Sequence, residues 1–323
     1  MKTNGIRIHQ HGGSGQMKWE EYELPPVGPG QVLLRHTAVG LNYIDVYHRS
    51  GLYPQAMPFI PGSEGAGVVE AVGEGVSQVA VGDRVAYAGA VGAYCERRVM
   101  AADRLVKLPT SVSDQIAAAM MLQGMTVQYL IRTTHRVIAG ETILIHAAAG
   151  GVGLILCQWA KSLGAVVIGT VSSRSKADLA AAHGCEHPVI TGEEDFVAKA
   201  RALTGGVGLP VVYDSVGRDT FHKSLDCLRP LGTMVLFGQS SGAVEPIDPN
   251  ILARGSWFLT RPTLGSFVAK RQDLETVAGE LFAVVASGAV QIRVNQTYRL
   301  QDAVLAHDDL EGRRTTGSTV FTV

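Results

Sequence analysis

The sequence predicts an α/β protein in two parts, a mainly β segment followed by a doubly wound parallel sheet. Three observations predict this. Short apolar runs broken by Gly/Pro turns fill the stretch up to about Gly124, with Pro25-Pro26, Gly28-Pro29-Gly30 and the segment from Pro58 to Gly62 as punctuation. From about Thr126 to Arg261 the texture changes to βα alternation. Many of the 38 glycines stand at the ends of Val/Ile-rich runs, where tight turns need positive φ or close backbone approach.

In chain order, residues 32–35, 67–72 and 84–86 are the extended pieces of the first part. Apolar strands follow at 142–146, 166–170, 211–213 and 234–237. Helical crossovers separate them and their runs are nearly continuous, so they are expected to lie parallel and buried on both faces. The tail mixes a helix at 274–286, a strand at 294–298 and a short helix at 300–310. It is expected to pack back on the first segment, giving one discontinuous domain of residues 1–124 plus 262–323 and a second of residues 125–261.

A 46% hydrophobic and 18% charged composition supports buried cores in two domains and argues against disorder. With 28 basic against 29 acidic residues there is no cationic excess for counterion release from a phosphate backbone, which disfavours nucleic acid as a partner. Cys95, Cys157, Cys185 and Cys227 are far apart in sequence, which fits neither a zinc ribbon nor a disulfide framework and suits a reducing compartment. The first twenty residues lack a signal-peptide core, and no apolar run approaches the roughly 20 residues that span a bilayer. The expectation is a cytoplasmic protein with no membrane partner.

The most informative stretch is Ile143-Leu144-Ile145-His146-Ala147-Ala148-Ala149-Gly150-Gly151-Val152-Gly153, a strand running into a glycine-rich turn. Val152, Leu156, Trp159 and Leu163 then recur at helical spacing, and Gly164 stands where a helix stop belongs. Strand, turn and helix agree with a dinucleotide-binding fingerprint. The turn fits Ala-x-Gly-x-x-Gly with Ala148, Gly150 and Gly153, small residues that let a pyrophosphate reach the backbone of the segment Ala148, Ala149, Gly150, Gly151, Val152 and Gly153 at the helix N-terminus, where the dipole favours negative charge.

One strand later the chain reads Ser172-Ser173-Arg174-Ser175-Lys176 with no carboxylate. An NAD site wants an acidic residue there for the ribose 2′-hydroxyl. Here Ser172, Ser173, Arg174 and Lys176 offer hydroxyls and cations suited to a 2′-phosphate, so NADPH is the expected cofactor. The segment His183-Gly184-Cys185-Glu186-His187 carries metal-capable side chains, but Gly184 reads as a helix end, and no metal site is expected.

At this point the sequence resembles the medium-chain dehydrogenases/reductases, and among them the zinc-less quinone oxidoreductases related to zeta-crystallin. The resemblance runs through Gly40-Leu41-Asn42-Tyr43-Ile44-Asp45, Pro61-Gly62-Ser63-Glu64-Gly65-Ala66-Gly67, Val81-Gly82-Asp83-Arg84-Val85, the glycine turn, Tyr213-Asp214-Ser215-Val216-Gly217 and Phe237-Gly238-Gln239-Ser240-Ser241-Gly242. It implies a GroES-like, mainly β catalytic domain beside a Rossmann cofactor domain, with the substrate cleft between them. Zinc-dependent alcohol dehydrogenases of the superfamily carry a catalytic cysteine where Asn42 to Asp45 lie and a Gly-His-Glu where Gly62-Ser63-Glu64 stand, so the resemblance implies a zinc-independent enzyme. It further implies NADPH-dependent reduction of small quinones by hydride or one-electron transfer, a reaction that needs no alkoxide stabiliser because the cofactor carries the chemistry.

Carried over by position, Asn42, Tyr47 and Tyr53 face nicotinamide and substrate: Asn42 would hydrogen-bond a carbonyl, and the tyrosines would stack on a flat ring or relay a proton. Asp45 is expected to orient backbone or an arginine. Gln123, Thr126, Phe237, Gly238 and Ser240 flank the nicotinamide, and Arg313 matches an arginine near the cofactor. The chain departs from its relatives in having no tyrosine within Val189-Ile190-Thr191-Gly192. Subunits are expected to pair as homodimers through edge strands near 231–238 or 257–260. The alternatives are an enzyme reducing activated carbon–carbon double bonds on the same scaffold and, more distantly, a non-catalytic structural or RNA-binding protein that holds NADPH.

Overall fold

The computed structural model describes all 323 residues. They divide into two compact units, one comprising Met1–Met125, Val268–Phe282 and Ile292–Val323, the other Thr126–Phe267 and Ala283–Gln291.

The first unit opens with an antiparallel hairpin, β1 (Lys2–Ile8) and β2 (Met17–Glu23). An 11-residue strand, β3 (Gln31–Leu41), follows, with a helix, α1 (Tyr43–Ser50), immediately after it. Strands β4 (Glu64–Val72), β5 (Arg84–Ala88), β6 (Arg97–Ala101) and β7 (Val106–Lys107) come next, then the short helix α2 (Asp114–Ala118). Helix α3 (Met121–Tyr129) carries the chain into the second unit. The predicted strands at 32–35, 67–72 and 84–86 lie inside β3, β4 and β5. Helix α1 was not predicted, because its run Tyr43-Ile44-Asp45-Val46-Tyr47 alternates apolar with polar only briefly and follows an asparagine that also suits a turn.

The second unit is a six-stranded parallel sheet. Its elements are β8 (Thr142–Ile145), α4 (Gly151–Ser162), β9 (Val166–Val171), α5 (Arg174–Ala182), β10 (His187–Ile190), α6 (Phe196–Leu203), β11 (Leu209–Asp214), α7 (Phe221–Asp226), β12 (Leu228–Leu236), β13 (Phe258–Thr260) and the one-turn α8 (Leu264–Phe267). The strand order β10-β9-β8-β11-β12-β13 reverses direction between β8 and β11, the switch point of a doubly wound sheet. All six residues of β11 are buried, as a central strand covered on both faces must be. Leu144, Ile168, Val212, Phe221, Leu225 and Met234 share its core.

Helix α9 (Arg271–Ala286) leads back to the first unit, where β14 (Val294–Arg299), α10 (Ala303–Glu311) and β15 (Ser318–Thr322) complete a seven-stranded sheet. There β15 pairs antiparallel with β3, so the tail closes the sheet that the first hundred residues begin. The core below it gathers Val32, Leu34, Val39, Tyr94, Leu105 and Phe321. The predicted boundary at residue 262 lies elsewhere: residues up to Phe267, and the end of α9 with the turn after it, group with the parallel sheet. A second correction concerns the edge expected at 231–238. Strand β12 pairs with β11 on one side and β13 on the other, so the exposed edge on that side is β13.

Candidate active site

In the parallel unit every strand points the same way, so the loops leaving β8, β9, β11 and β12 all emerge at one edge of the sheet. The predicted nucleotide residues sit there. Ala148 and Ala149 follow β8, and Gly150 is the N-cap of α4 with no side chain capping it. The first bond back into that helix runs from Leu154 N to Gly150 O, which leaves the N–H groups of Gly151, Val152 and Gly153 aimed past the helix end without intrahelical acceptors. Gly153 packs so closely that a Cβ there would fall 2.3 Å from Ala147 O. Ala147 itself adopts a left-handed φ of 55°. An open, uncapped helix end approached by bare backbone fits a pyrophosphate.

After β9, Ser173 is the N-cap of α5; its hydroxyl accepts from Lys176 N at 3.4 Å and shares a hydrogen bond with the Ser175 hydroxyl at 3.1 Å. Arg174 and Lys176 thus stand at the first and third positions of a helix, where the dipole repels cations. Phe237 and Gly238 follow β12: their N–H groups both meet Asp214 O, at 2.8 and 3.3 Å. A Cβ on Gly238 would meet Ser215 O at 2.7 Å, so glycine lets the two loops touch. Ser240 N bonds Ser215 O at 3.1 Å.

Sequence reasoning missed what holds these loops. Asp214 Oδ1 accepts from Val216 N at 2.7 Å and Gly217 N at 3.0 Å, while Oδ2 takes the hydroxyls of Thr220 at 2.7 Å and Ser224 at 3.1 Å. Ser224 and Thr170 flank the ring of His146 at 2.9 Å each. Burial pushes His146 below the usual imidazole range, against the opposing pull of Asp214. The available signal was an aspartate ending a wholly apolar strand. Of the segment 183–187, His183 ends α5 by bonding the Leu179 carbonyl and Cys185 is buried against Gly169. No group of three or more His, Cys, Asp or Glu converges as a metal site requires.

In the first unit the predicted residues fall into two groups. Tyr47 and Tyr53 meet edge to face, ring centres 5.2 Å apart, and Tyr43 packs on Tyr47 at 5.4 Å. Arg313, with a left-handed φ of 58° just past α10, lies where its charge acts on Tyr43. Asn42 and Gln123 belong to the second group, a buried polar cluster. Asn42 Nδ2 donates to Glu64 Oε2 at 2.7 Å, and Gln123 Nε2 donates to Asn42 Oδ1 at 3.2 Å. Leu122 N donates to Glu64 Oε1 at 2.8 Å. A Cβ on Gly40 would fall 2.2 Å from Ala118 O and 2.5 Å from Glu64 Oε2, so only glycine lets β3 close over this carboxyl.

Asp45 orients backbone, as expected, but no arginine: Oδ2 accepts from Asn42 N at 2.9 Å, starting α1, and Oδ1 takes the Ser63 hydroxyl at 2.7 Å. Burial raises Asp45 to about 6 and Glu64 to about 8. The signal for Glu64 was a charged residue opening the apolar run Gly65-Ala66-Gly67-Val68-Val69. Thr126 lies three residues past Gln123 on α3 and is buried.

Residues 28–140 match the alcohol dehydrogenase GroES-like domain, and residues 151–283 match the zinc-binding dehydrogenase model. A quinone oxidoreductase of Pseudomonas aeruginosa is 49% identical over 319 residues, covering 98% of each chain. The chain belongs to the quinone oxidoreductase family. Within this family of medium-chain dehydrogenases/reductases, a 2-haloacrylate reductase of a Burkholderia species is 44% identical, with 97% of each chain covered. The crystal structure of Escherichia coli quinone oxidoreductase complexed with NADPH matches at a TM-score of 0.97 and 44% identity, covering 99% of this chain and 100% of that one. As a quinone oxidoreductase family member the chain has a GroES-like first unit and a Rossmann second unit. Asn42 and Ser63 lie in the two segments expected to differ from the zinc-dependent enzymes; Glu64 engages the Asn42 side chain and Asp45 engages that of Ser63.

Proposed function

We propose that the protein is an NADPH-dependent quinone reductase that works without zinc on small quinones. The observation that carries the cofactor choice is the start of α5. Arg174 and Lys176 stand against the helix dipole in a loop with no carboxylate, an arrangement that costs stability unless an anion binds there. Ser172 and Ser173 add hydroxyl donors for the same 2′-phosphate. The N–H groups of Gly151, Val152 and Gly153 hold the pyrophosphate, while Ala148, Ala149 and Gly150 let it approach. Gln123, Thr126, Phe237, Gly238 and Ser240 flank the nicotinamide, and Arg313 adds a cation near the cofactor. The bound nicotinamide supplies hydride or single electrons to the acceptor.

Asn42 donates a hydrogen bond to the quinone oxygen that gains charge, and Tyr47 and Tyr53 form a face on which a flat ring stacks. The hydrogen bonds that already engage Asn42 and Ser63 support a zinc-free reading. The subunit pairs with a second copy through the β13 edge, where Phe258 is 59% exposed. The test is NADPH oxidation with benzoquinone-type acceptors, with and without chelator: turnover that resists chelation is expected. Abolition by a chelator and restoration by zinc would overturn the metal-free reading.

A second reading, reduction of an activated carbon–carbon double bond, draws support from the 2-haloacrylate reductase at 44% identity. Enone and 2-haloacrylate acceptors in the same assay separate the two by their ratio of kcat/KM.

A further inference from the structure

Ser318 Oγ sits 2.9 Å from the Ala119 carbonyl and 2.8 Å from Gln123 Oε1. Both are acceptors, and a serine hydroxyl has one proton, so as the amides stand one of these contacts goes without. The chain continues from Gln123 Nε2 to Asn42 Oδ1 and from Asn42 Nδ2 to Glu64 Oε2. Amide oxygen and nitrogen are nearly the same size, so both amides fit equally well turned by half a rotation.

Turning both cures the shortfall. Gln123 Nε2 then donates to Ser318 Oγ, whose proton goes to Ala119, and Asn42 Nδ2 donates to Gln123 Oε1. That arrangement leaves Asn42 Oδ1 against Glu64 Oε2 at the 2.7 Å separation, where two acceptors repel unless the carboxyl holds a proton and donates it. Among these side chains the two arrangements share their heavy-atom contacts and differ by one proton, taken from or returned to solvent; the Asp45 N–H, which also meets the Asn42 side-chain oxygen in the first, keeps the Asn42 carbonyl at 3.0 Å in the second.

We propose that Glu64 is a positioning residue whose uptake or release of a proton turns the amides of Asn42 and Gln123 together, and so sets the strength of the hydrogen bond that Asn42 offers the substrate. Glu64 is wholly buried and its carboxyl is raised to about 8, chiefly by burial, with the Asp45 charge adding and the donors Asn42, Leu122 and Met121 opposing. The titratable groups around it are Asp45 on α1 and the hydroxyls of Tyr87 on β5 and Tyr94 in the loop after β5. Arg98 acts on Tyr87, and Arg49 on Tyr94. With Glu64 protonated, its proton polarises the Asn42 amide and the remaining Nδ2–H becomes a better donor to an oxygen gaining charge; with Glu64 ionised the polarisation reverses.

This inference rests on Asn42 addressing the substrate, and the test separates the two. Infrared spectra of the full-length protein across pH should contain a protonated-carboxyl band that fades near pH 8 and is missing in Glu64→Gln. The side-chain amide NMR signals of Asn42 and Gln123 should move with the same midpoint. In Ser318→Ala the midpoint should shift down, because the protonated arrangement loses two hydrogen bonds and the ionised one loses one. In kinetics, kcat/KM for a benzoquinone should decline above that midpoint in the unaltered protein and lose this decline in Glu64→Gln. A carboxyl that titrates in the ordinary range, or amide signals that stay fixed while it titrates, would overturn the proposal. Quinone inactivity alongside an intact coupled titration would uphold the proton relay and overturn the functional reading. If Glu64→Gln fails to fold, the unaltered protein and Ser318→Ala still decide the matter.

Discussion

The hydroxyl of Tyr94 lies 3.1 Å from Nε2 of His307, across 213 residues of sequence. Tyr94 donates its proton to Asp45 Oδ2 at 3.1 Å, so His307 must carry a proton on Nε2 and use Nδ1 to accept from Arg49 Nη1 at 3.4 Å. The ring is therefore neutral, and burial with the Arg49 charge holds it at about 3. Arg49, 2% exposed, in turn reaches both oxygens of Glu311 at 2.8 Å. One polar chain thus ties α1, which carries Asn42 at its cap, to α10.

Replacing His307 with Ala should leave the Tyr94 oxygen and an Arg49 N–H unpaired and open a cavity, at a cost of about 2–4 kcal/mol. Urea unfolding would measure it. A change within a few tenths of a kcal/mol would mean that the contact carries no weight.

Stability should fall on both sides of mildly acidic pH. Asp45 and Glu64 rise on folding from 3.8 and 4.5 to about 6 and about 8, so what they contribute is present in acid and is lost as pH climbs through the folded values. His36 and His307 fall from 6.5 to about 3, so their contribution is present above 6.5 and is lost as pH drops towards 3. Above pH 6.5 both imidazoles are neutral folded or unfolded, and Glu64 alone of these four still acts up to about 8. Thermal melts should therefore show Tm declining across that window, and Glu64→Gln should flatten the decline. An equal slope in both proteins would remove Glu64 as its source.

Changing Arg174 and Lys176 together to Ala should raise KM for NADPH by roughly ten- to a hundredfold, the worth of one or two charge-assisted hydrogen bonds, and leave KM for NADH nearly unchanged. Because both cations oppose the α5 dipole, Tm should hold or rise slightly. Equal effects on the two nucleotides would contradict a 2′-phosphate site.

Two glycines of the α4 turn should separate by readout. A Cβ at Gly153 meets Ala147 O at 2.3 Å and Ala148 Cα at 2.7 Å, so Gly153→Ala should cost about 1–3 kcal/mol as well as nucleotide binding. At Gly150 the only neighbour is Ala147 O at 3.3 Å; Gly150→Ala should keep Tm within a few degrees while calorimetry finds NADPH binding weakened. The same loss of stability in both would place the role of Gly150 in packing instead.

The turns of the candidate nucleotide edge were legible in the sequence because every part of them is local. The turn 146–153, the loop 172–176 and the turn at 237–238 each follow an apolar strand within a few residues, and turn chemistry and periodicity act over that range. The tyrosine group was legible only through resemblance. Helix α1 escaped notice because Asp45 starts it by reaching back to Asn42 N, and an Asn-x-x-Asp spacing alone does not tell a cap from a turn. The edge expected at 231–238 failed for a related reason: whether a strand is internal depends on β13, which follows about twenty residues later and can be placed only in the folded sheet.

By itself, then, the sequence determined the parallel sheet, its glycine-rich helix end and the basic loop beside it, since each follows from residue type and short-range spacing. Tertiary structure alone decided that Glu64 is buried against Asn42 and Leu122, and that Asp45, Tyr94, His307 and Arg49 form one chain. Proton affinity depends on which dipoles and charges surround a group once water has been excluded, and those neighbours, up to 262 residues apart, meet only when the chain folds.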